Sequence, residues 1–347
     1  MMDRVSTASL RSAALQPLLR QEVQLARAQT EAATGRSADP GLALGARSAR
    51  VASLGAVTAD ARTMIDTNGL ASAQLGAMQD AVMEMRASSS SFRQAAMAAL
   101  GSATGASAEQ AAIVARGARI SLVGQANARL GAVHLLAGNE VDRPPVADPT
   151  SDAAARNTVR DAFAARFGHA VDDPATAAID PVAMADFLDG LEADFAATEY
   201  KARWVGPRPA TRTLRLASTQ TMSIKALAHD PGIRDLVLAA SIGEALSTSA
   251  LRADTRAVAL ERSVAISTRG DVRLAELAGR IGSDEERVAR ATSRLEARIA
   301  IAERATNDLT GIDALEAATR VNALITQIEA SLAITARVSR LSLLNHL

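Results

Sequence analysis

Cysteine is absent from the 347 residues. Its absence excludes disulfides, thiolate metal sites and cysteine nucleophiles. It also suits a chain that stays unfolded in transport or works outside the cell, although on that point alone the compartment stays open. Aromatic residues make up only 2%, too few to fill the ordinary cores of the two or three domains that this length would allow. Alanine-rich helices packed side by side fit that composition better. Net charge is zero, with 38 basic and 38 acidic residues interspersed, so no long-range field recruits nucleic acid or an anionic membrane. Lysine is nearly missing: Lys201 and Lys225 are the two among 38 basic residues, which leaves 36 arginines. That bias reads as coding composition and carries no functional weight. No apolar run approaches the roughly 18 residues of a membrane span. Arg11, Gln16 and Pro17 interrupt the start too early for a secretory signal, so the expectation is a soluble chain that, if exported, leaves without a cleavable signal.

What is present is unevenly placed. Four of the five phenylalanines, the single tyrosine and the single tryptophan fall between Phe163 and Trp204, and eight of the ten prolines between Pro144 and Pro231. Both ends are long runs of Ala, Leu, Arg, Gln, Glu, Val and Ile, the straight-chain helix formers. The expected fold is mainly α: a long helical rod, coiled-coil-like, built from both termini, with a small α+β insert in the middle. The expected division is an N-terminal assembly helix (1–36), rod helices (37–140), the insert (141–232), a return segment with a rod helix (233–308) and a C-terminal assembly helix (309–347).

Along the chain, the spacing predicts a first helix over Thr7–Thr34 with the stripe Leu15, Leu18, Leu19, Val23 and Ala26, or one that starts after Leu15 because Pro17 removes a backbone bond. Gly35 to Gly41, with Asp39-Pro40 inside, is a break. A long second helix is expected from Leu42 to Leu100, and Gly41 with Gly45 forms a weak small-residue pair. Ser107 and Gln110 resemble a capping box opening a third helix that runs to Ala137. In the insert, helices are expected over Ala153–Phe167 and Pro181–Phe195, with extended segments at Tyr200–Trp204 and Thr211–Ile224. A helix over Ile233–Ser247 follows, and Leu251–Arg269 is open between helix and loop. From Asp271 the residues Leu274, Leu277, Ile281, Val288, Leu295 and Ala302 recur mostly seven apart. Gly282 could kink this helix, with Ser283 and Glu286 capping a new start. After a break over Asn307–Gly311, Asp313 and Glu316 open a last helix whose apolar face includes Val321, Leu324, Ile325, Ile328, Leu332, Val338 and Leu341. That face needs a partner, and antiparallel or side-by-side pairing with the first helix is the economical arrangement.

Enzyme signatures are missing: no Gly-x-Ser-x-Gly, no phosphate-cradling loop with lysine and no His-Glu-x-x-His occurs. The histidines His134, His169, His229 and His346 lie far apart. His169 near Asp172 and Asp173 lacks further ligands at helical spacing and reads as a solvated loop. Ser88–Ser91 reads as the polar face of an alanine-rich helix. No catalytic, cofactor-binding or metal residue is expected, and no cofactor.

Several phrases carry a family resemblance. Leu309-Thr310-Gly311-Ile312-Asp313, then Glu316-Ala317-Ala318-Thr319-Arg320, Gln327 to Ser331 and the closing Leu341-Ser342-Leu343-Leu344 resemble the end of bacterial flagellin-family proteins. Ala33-Thr34-Gly35-Arg36 before Asp39-Pro40, Arg129 to Pro145 and Arg273 to Gly282 are similar to further stretches of that family, in the same order. The first helix departs from the pattern, with Ala, Arg and Gln where the family is rich in Asn, and the insert is unmatched. The resemblance is greatest to the hook-associated branch. It implies a secreted structural subunit that joins hook to filament, with a filament flagellin as the alternative and a cytoplasmic coiled-coil scaffold as the more distant one. Implied partners are other copies of the chain, a neighbouring hook-associated protein, flagellin, and an export chaperone near the C-terminus. The implied location is the extracellular flagellum, reached through its own secretion apparatus. The residues expected at the assembly interface are Leu15, Leu18, Leu19, Val23, Val321, Leu324, Ile325, Ile328, Leu332, Val338, Leu341 and Leu344.

Overall fold

A computed structural model describes residues 7–39, 44–102, 104–205, 211–218, 220–225 and 227–344, with backbone alone at 7–15, 225 and 338–344. The fold is mainly α. Its helices are α1 (Thr7–Thr34), α2 (Ser48–Ser102), α3 (Gly105–Ala126), α4 (Ala153–Phe167), α5 (Pro181–Asp194), α6 (Pro231–Leu246), α7 (Ala253–Thr310) and α8 (Ala314–Leu344). Two antiparallel hairpins complete it: β1 (Arg129–Leu130) with β2 (Val133–His134), and β3 (Thr211–Ala217) with β4 (Gln220–Lys225), the second irregular between Arg215 and Ala217. The chain divides into two compact units, one of residues 1–63 with 294–347 and one of residues 64–293, so α2 and α7 each contribute to both.

In the first unit α1 packs along α8. The pairing is antiparallel: Gln21 meets Ser331 and Glu31 meets Arg320, so one helix ascends as the other descends. Pro17 sits inside α1 without ending it. The expected helix start at Leu42 lies outside the described residues; Leu44 is helical, a short 3₁₀ turn follows at Gly45–Arg47, and α2 runs on from Ser48.

The second unit is organised round α6. Ile233, Leu236, Val237, Leu238, Ile242 and Leu246 are all buried, as expected for a helix apolar on every side. Neighbouring backbones approach it closely. A Cβ on Gly243 would lie 2.5 Å from the Phe92 ring of α2, and one on Gly270 of α7 would lie 2.7 Å from Leu236. α3 also packs against α6, with Arg119 donating to Glu244 at 2.7 Å. Arg119 is 2% exposed, and burial holds its pKa below the usual arginine value despite Glu244.

Several sequence expectations need correction here. α3 is capped by Thr104, whose hydroxyl accepts from Ser107 N at 3.2 Å, so the start lies three residues before the proposed Ser107 box. α3 also stops at Ala126 and does not reach Ala137. Asn127 turns the chain by exchanging side-chain hydrogen bonds with both the N–H and the C=O of Val146, and Gly131 takes φ +61° in the β1–β2 turn. The segment Tyr200–Trp204 is helical, not extended. Phe195–Glu199 and Lys201–Val205 form π turns, whose wider winding brings residues five apart together, and Phe195 and Tyr200 pack ring to ring at 5.5 Å. Tyr200 then donates to Ala228 O at 2.7 Å inside the core, and burial pushes its phenol well above the usual range. Leu251–Arg269 is helical from Ala253 onward, and α7 continues through Gly282, Ser283 and Glu286 with no new start.

Candidate assembly surface

The terminal pair is held at its base by a short backbone lock. α1 ends at Gly35, which takes φ +65°, a left-handed value that favours glycine. Arg36 then bridges antiparallel to Gly311. Ser37 N donates to Thr310 O at 3.1 Å, and Ile312 N donates to Gly35 O at 3.1 Å. The Arg36 guanidinium donates to Asn307 Oδ1 at 2.6 Å, and Glu31 Oε1 accepts from Ala38 N at 3.1 Å. Gly311 has its own reason to be glycine, because an added Cβ would fall 2.6 Å from the Asn307 carbonyl oxygen. Asp313 Oδ1 accepts from Leu315 N at 2.8 Å and opens α8. Its expected reciprocal partner, Glu316, turns instead to Arg320 at 2.8 Å.

Above the lock, the buried seam is made by small residues. Ala28 on α1 and Ala317 on α8 are each 2% exposed, and Leu324 is 9% exposed. At about 100° per residue, Leu19, nine positions before Ala28, points to the opposite side of α1 from the seam, and Val23 lies close to it. Leu19 is 59% and Val23 54% exposed. On α8 the apolar arc is wider than α1 covers. Val321 and Ile328 are half-buried beside Leu324, and Ile325 and Leu332 stand further out at 37% and 49%. Leu315 and Ile334 are also exposed. The opposite flank of the seam is polar, where Arg320 reaches Glu31 at 3.6 Å.

Of the residues expected at an assembly interface, then, Leu324 lies in the seam and Leu18, Val321 and Ile328 border it. Leu19, Val23, Ile325 and Leu332 face outward. The side chains of Leu15, Val338, Leu341 and Leu344 fall outside the described residues. Reading the sequence for large apolar residues passed over the alanines of the seam, the Gln21–Ser331 contact and the Arg36–Asn307 bond. Only the placing of Gly35 and Gly311 at helix ends hinted at the lock.

His169, considered as a metal ligand from sequence, packs its ring on Phe163 and Phe167, while Asp172 binds Arg160 at 2.8 Å and Asp173 caps the 3₁₀ turn Pro174–Ala178. No group of three or more potential metal ligands occurs among the described residues, and no helix among them is long and apolar enough to cross a membrane.

The geometry is that of two terminal helices closed on each other at one end and greasy on the outside. Residues 272–347, which hold the later part of α7, one strand of the lock and α8, match the model of the bacterial flagellin C-terminal helical region. Over that C-terminal stretch the chain is similar to the flagellins. Among solved structures, one similar to this chain is provisionally assigned as a flagellar hook-associated protein from Vibrio parahaemolyticus. The two share 10% identity over 76% of this chain and 97% of that one, with a TM-score of 0.53, a likeness of fold. No curated protein matches the sequence.

Proposed function

We propose that this flagellin-family protein is the subunit that joins the flagellar hook to the filament, assembling with copies of itself through the outward faces of α1 and α8. The observation that carries the assembly reading is the pair of apolar faces left uncovered after the helices have packed: Leu19 and Val23 on one side, Ile325 and Leu332 on another. Burying the exposed part of each such side chain, roughly half of it, stabilises by about 1 kcal/mol, enough in sum to favour association when many copies meet. The similarity of fold to a hook-associated protein favours the junction over the filament; the match to the flagellin C-terminal region fits a filament flagellin equally well. Neighbours on this reading are a second hook-associated protein on the hook side and flagellin on the filament side. Export runs through the flagellum's own channel, with a chaperone holding the C-terminal helix until delivery.

Electron microscopy of a deletion strain tests the role. Intact hooks without filaments, with immunogold label confined to a thin zone at the hook's end in the parent strain, are the expected result. Label along the whole filament would replace the junction role with that of a filament flagellin, and normal flagella in the deletion strain would overturn both.

A further inference from the structure

Within residues 64–293 lies a half-open hollow of about 620 Å³, a size and apolar character suited to receiving side chains from outside. Leu75 and Met78 of α2, Ile224 of β4 and Ile281 of α7 line it, and Arg280, Asp284 and the Arg280-paired Asp230 are its charged groups. Arg280 is held by Asp230 at 2.7 Å yet keeps 59% of its side chain exposed, and Asp284 contacts Arg287 at 3.1 Å.

The same unit carries a ridge on α3. Ile113 is 65% and Ile120 40% exposed, two helical turns apart. Gly117 and Gly124, on the same face, leave open space where side chains would stand, so the isoleucines project as separate knobs. Glu109 and Arg116 lie exposed one turn to either side of Ile113. Neither enters an ion pair among the described residues. The more exposed charges of the hollow are the basic Arg280 and the acidic Asp284, since Asp230 is largely buried beneath Arg280, and an acidic and a basic group flank the knob.

We propose that Ile113 of one copy seats in the hollow of the next, with Glu109 toward Arg280 and Arg116 toward Asp284. The inference rests on the reading that the chain assembles with itself, and it adds a contact remote in sequence from the terminal helices. Knob and hollow are different surfaces, so the contact is heterologous: it adds copies head to tail and leads to a ring or a helical array, not a closed pair. Exposed ion pairs contribute little energy. Here the apolar knob supplies the burial, and the charges select the register and reject like-charged alternatives.

The absence of cysteine gives a clean test. A copy carrying Ile113→Cys is mixed with one carrying Ser223→Cys, at the lining of the hollow, and the sedimenting assemblies are oxidised mildly. A disulfide needs its two Cα atoms within about 7 Å, so the mixed link should exceed by about tenfold that of a Met97→Cys and Ser223→Cys mixture; Met97 is 62% exposed on α2. Assemblies that form without preference for the mixed link overturn the pairing and leave self-assembly standing. Links of Ile113→Cys to itself mean that the ridge packs on its own kind, which also overturns it. If the wild-type protein forms no assemblies at all, the self-assembly reading fails and the pairing fails with it.

Discussion

The side chain of Asp235 is 3% exposed and lies among arginines. Arg269 donates to its Oδ2 at 3.0 Å, Arg273 binds the same oxygen, and Arg234 reaches Oδ1 at 3.1 Å. Arg269 also binds Glu192 at 2.6 Å, and Arg262 binds Asp189 at 2.6 Å. The arginines at 262, 269, 273 and 280 therefore form one stripe along α7, each meeting a carboxylate of α5 or of the start of α6. Removing the acid alone strands guanidiniums beside an apolar helix. Asp235→Ala is expected to lower the free energy of unfolding by about 3 kcal/mol in urea denaturation. Asp230 behaves differently. Burial raises its carboxyl above the ordinary value of 3.8, against the pull of Gly232 N and Arg280. The folded chain thus holds this proton more tightly than the unfolded one, and the group's contribution to stability falls as pH rises from about 4 through its raised value. Asp230→Asn keeps a cap for Gly232 N and removes that titration, so the stability of the variant relative to the parent should increase as pH rises across this window. A difference flat with pH would contradict the assignment. At the lock, Gly311→Ala places a Cβ against the Asn307 carbonyl and should cost more than about 1 kcal/mol, seen as earlier proteolysis near residue 311.

At the scale of the element, the sequence was most legible where apolar residues recur. Leu274, Leu277, Ile281, Val288, Leu295 and Ala302, read as a heptad-like stripe, are all buried in the continuous helix α7. The expectations for α4, the aromatic insert helix, matched residue for residue because Asp152 caps its start and Gly168 closes it at φ +81°. Local pattern failed where long-range contacts decide. Nothing near Tyr200 signals that its hydroxyl must reach Ala228 O, which is why a π-wound segment read as extended. The end of α3 is set by Asn127 meeting Val146, nineteen residues away. In the terminal pair, large apolar residues marked the outside and alanines the seam. Alanine buries too little to stand out in a periodic pattern, while it lets two helices approach closely. Leu324→Asp, in the seam, should therefore separate α1 from α8 and lower their helicity by circular dichroism, whereas Leu332→Asp should leave helicity unchanged.

For the whole molecule, the claim is that packing within one chain is complete at the seam and deliberately incomplete outside it. Leu19, Val23, Ile325 and Leu332 stay exposed although the chain has helix enough to cover them, and a protein that worked alone would gain solubility by making them polar. The similarity of residues 272–347 to the flagellin C-terminal helical region supplies the setting for the proposed role. The most direct test is incorporation of a variant carrying Leu19→Asp and Leu332→Asp, expressed in the deletion strain and quantified in sheared flagella beside its thermal melt. The account predicts a melt within a few degrees of the parent and no variant in the flagella. Incorporation at the parental level, with the same melt, would contradict it.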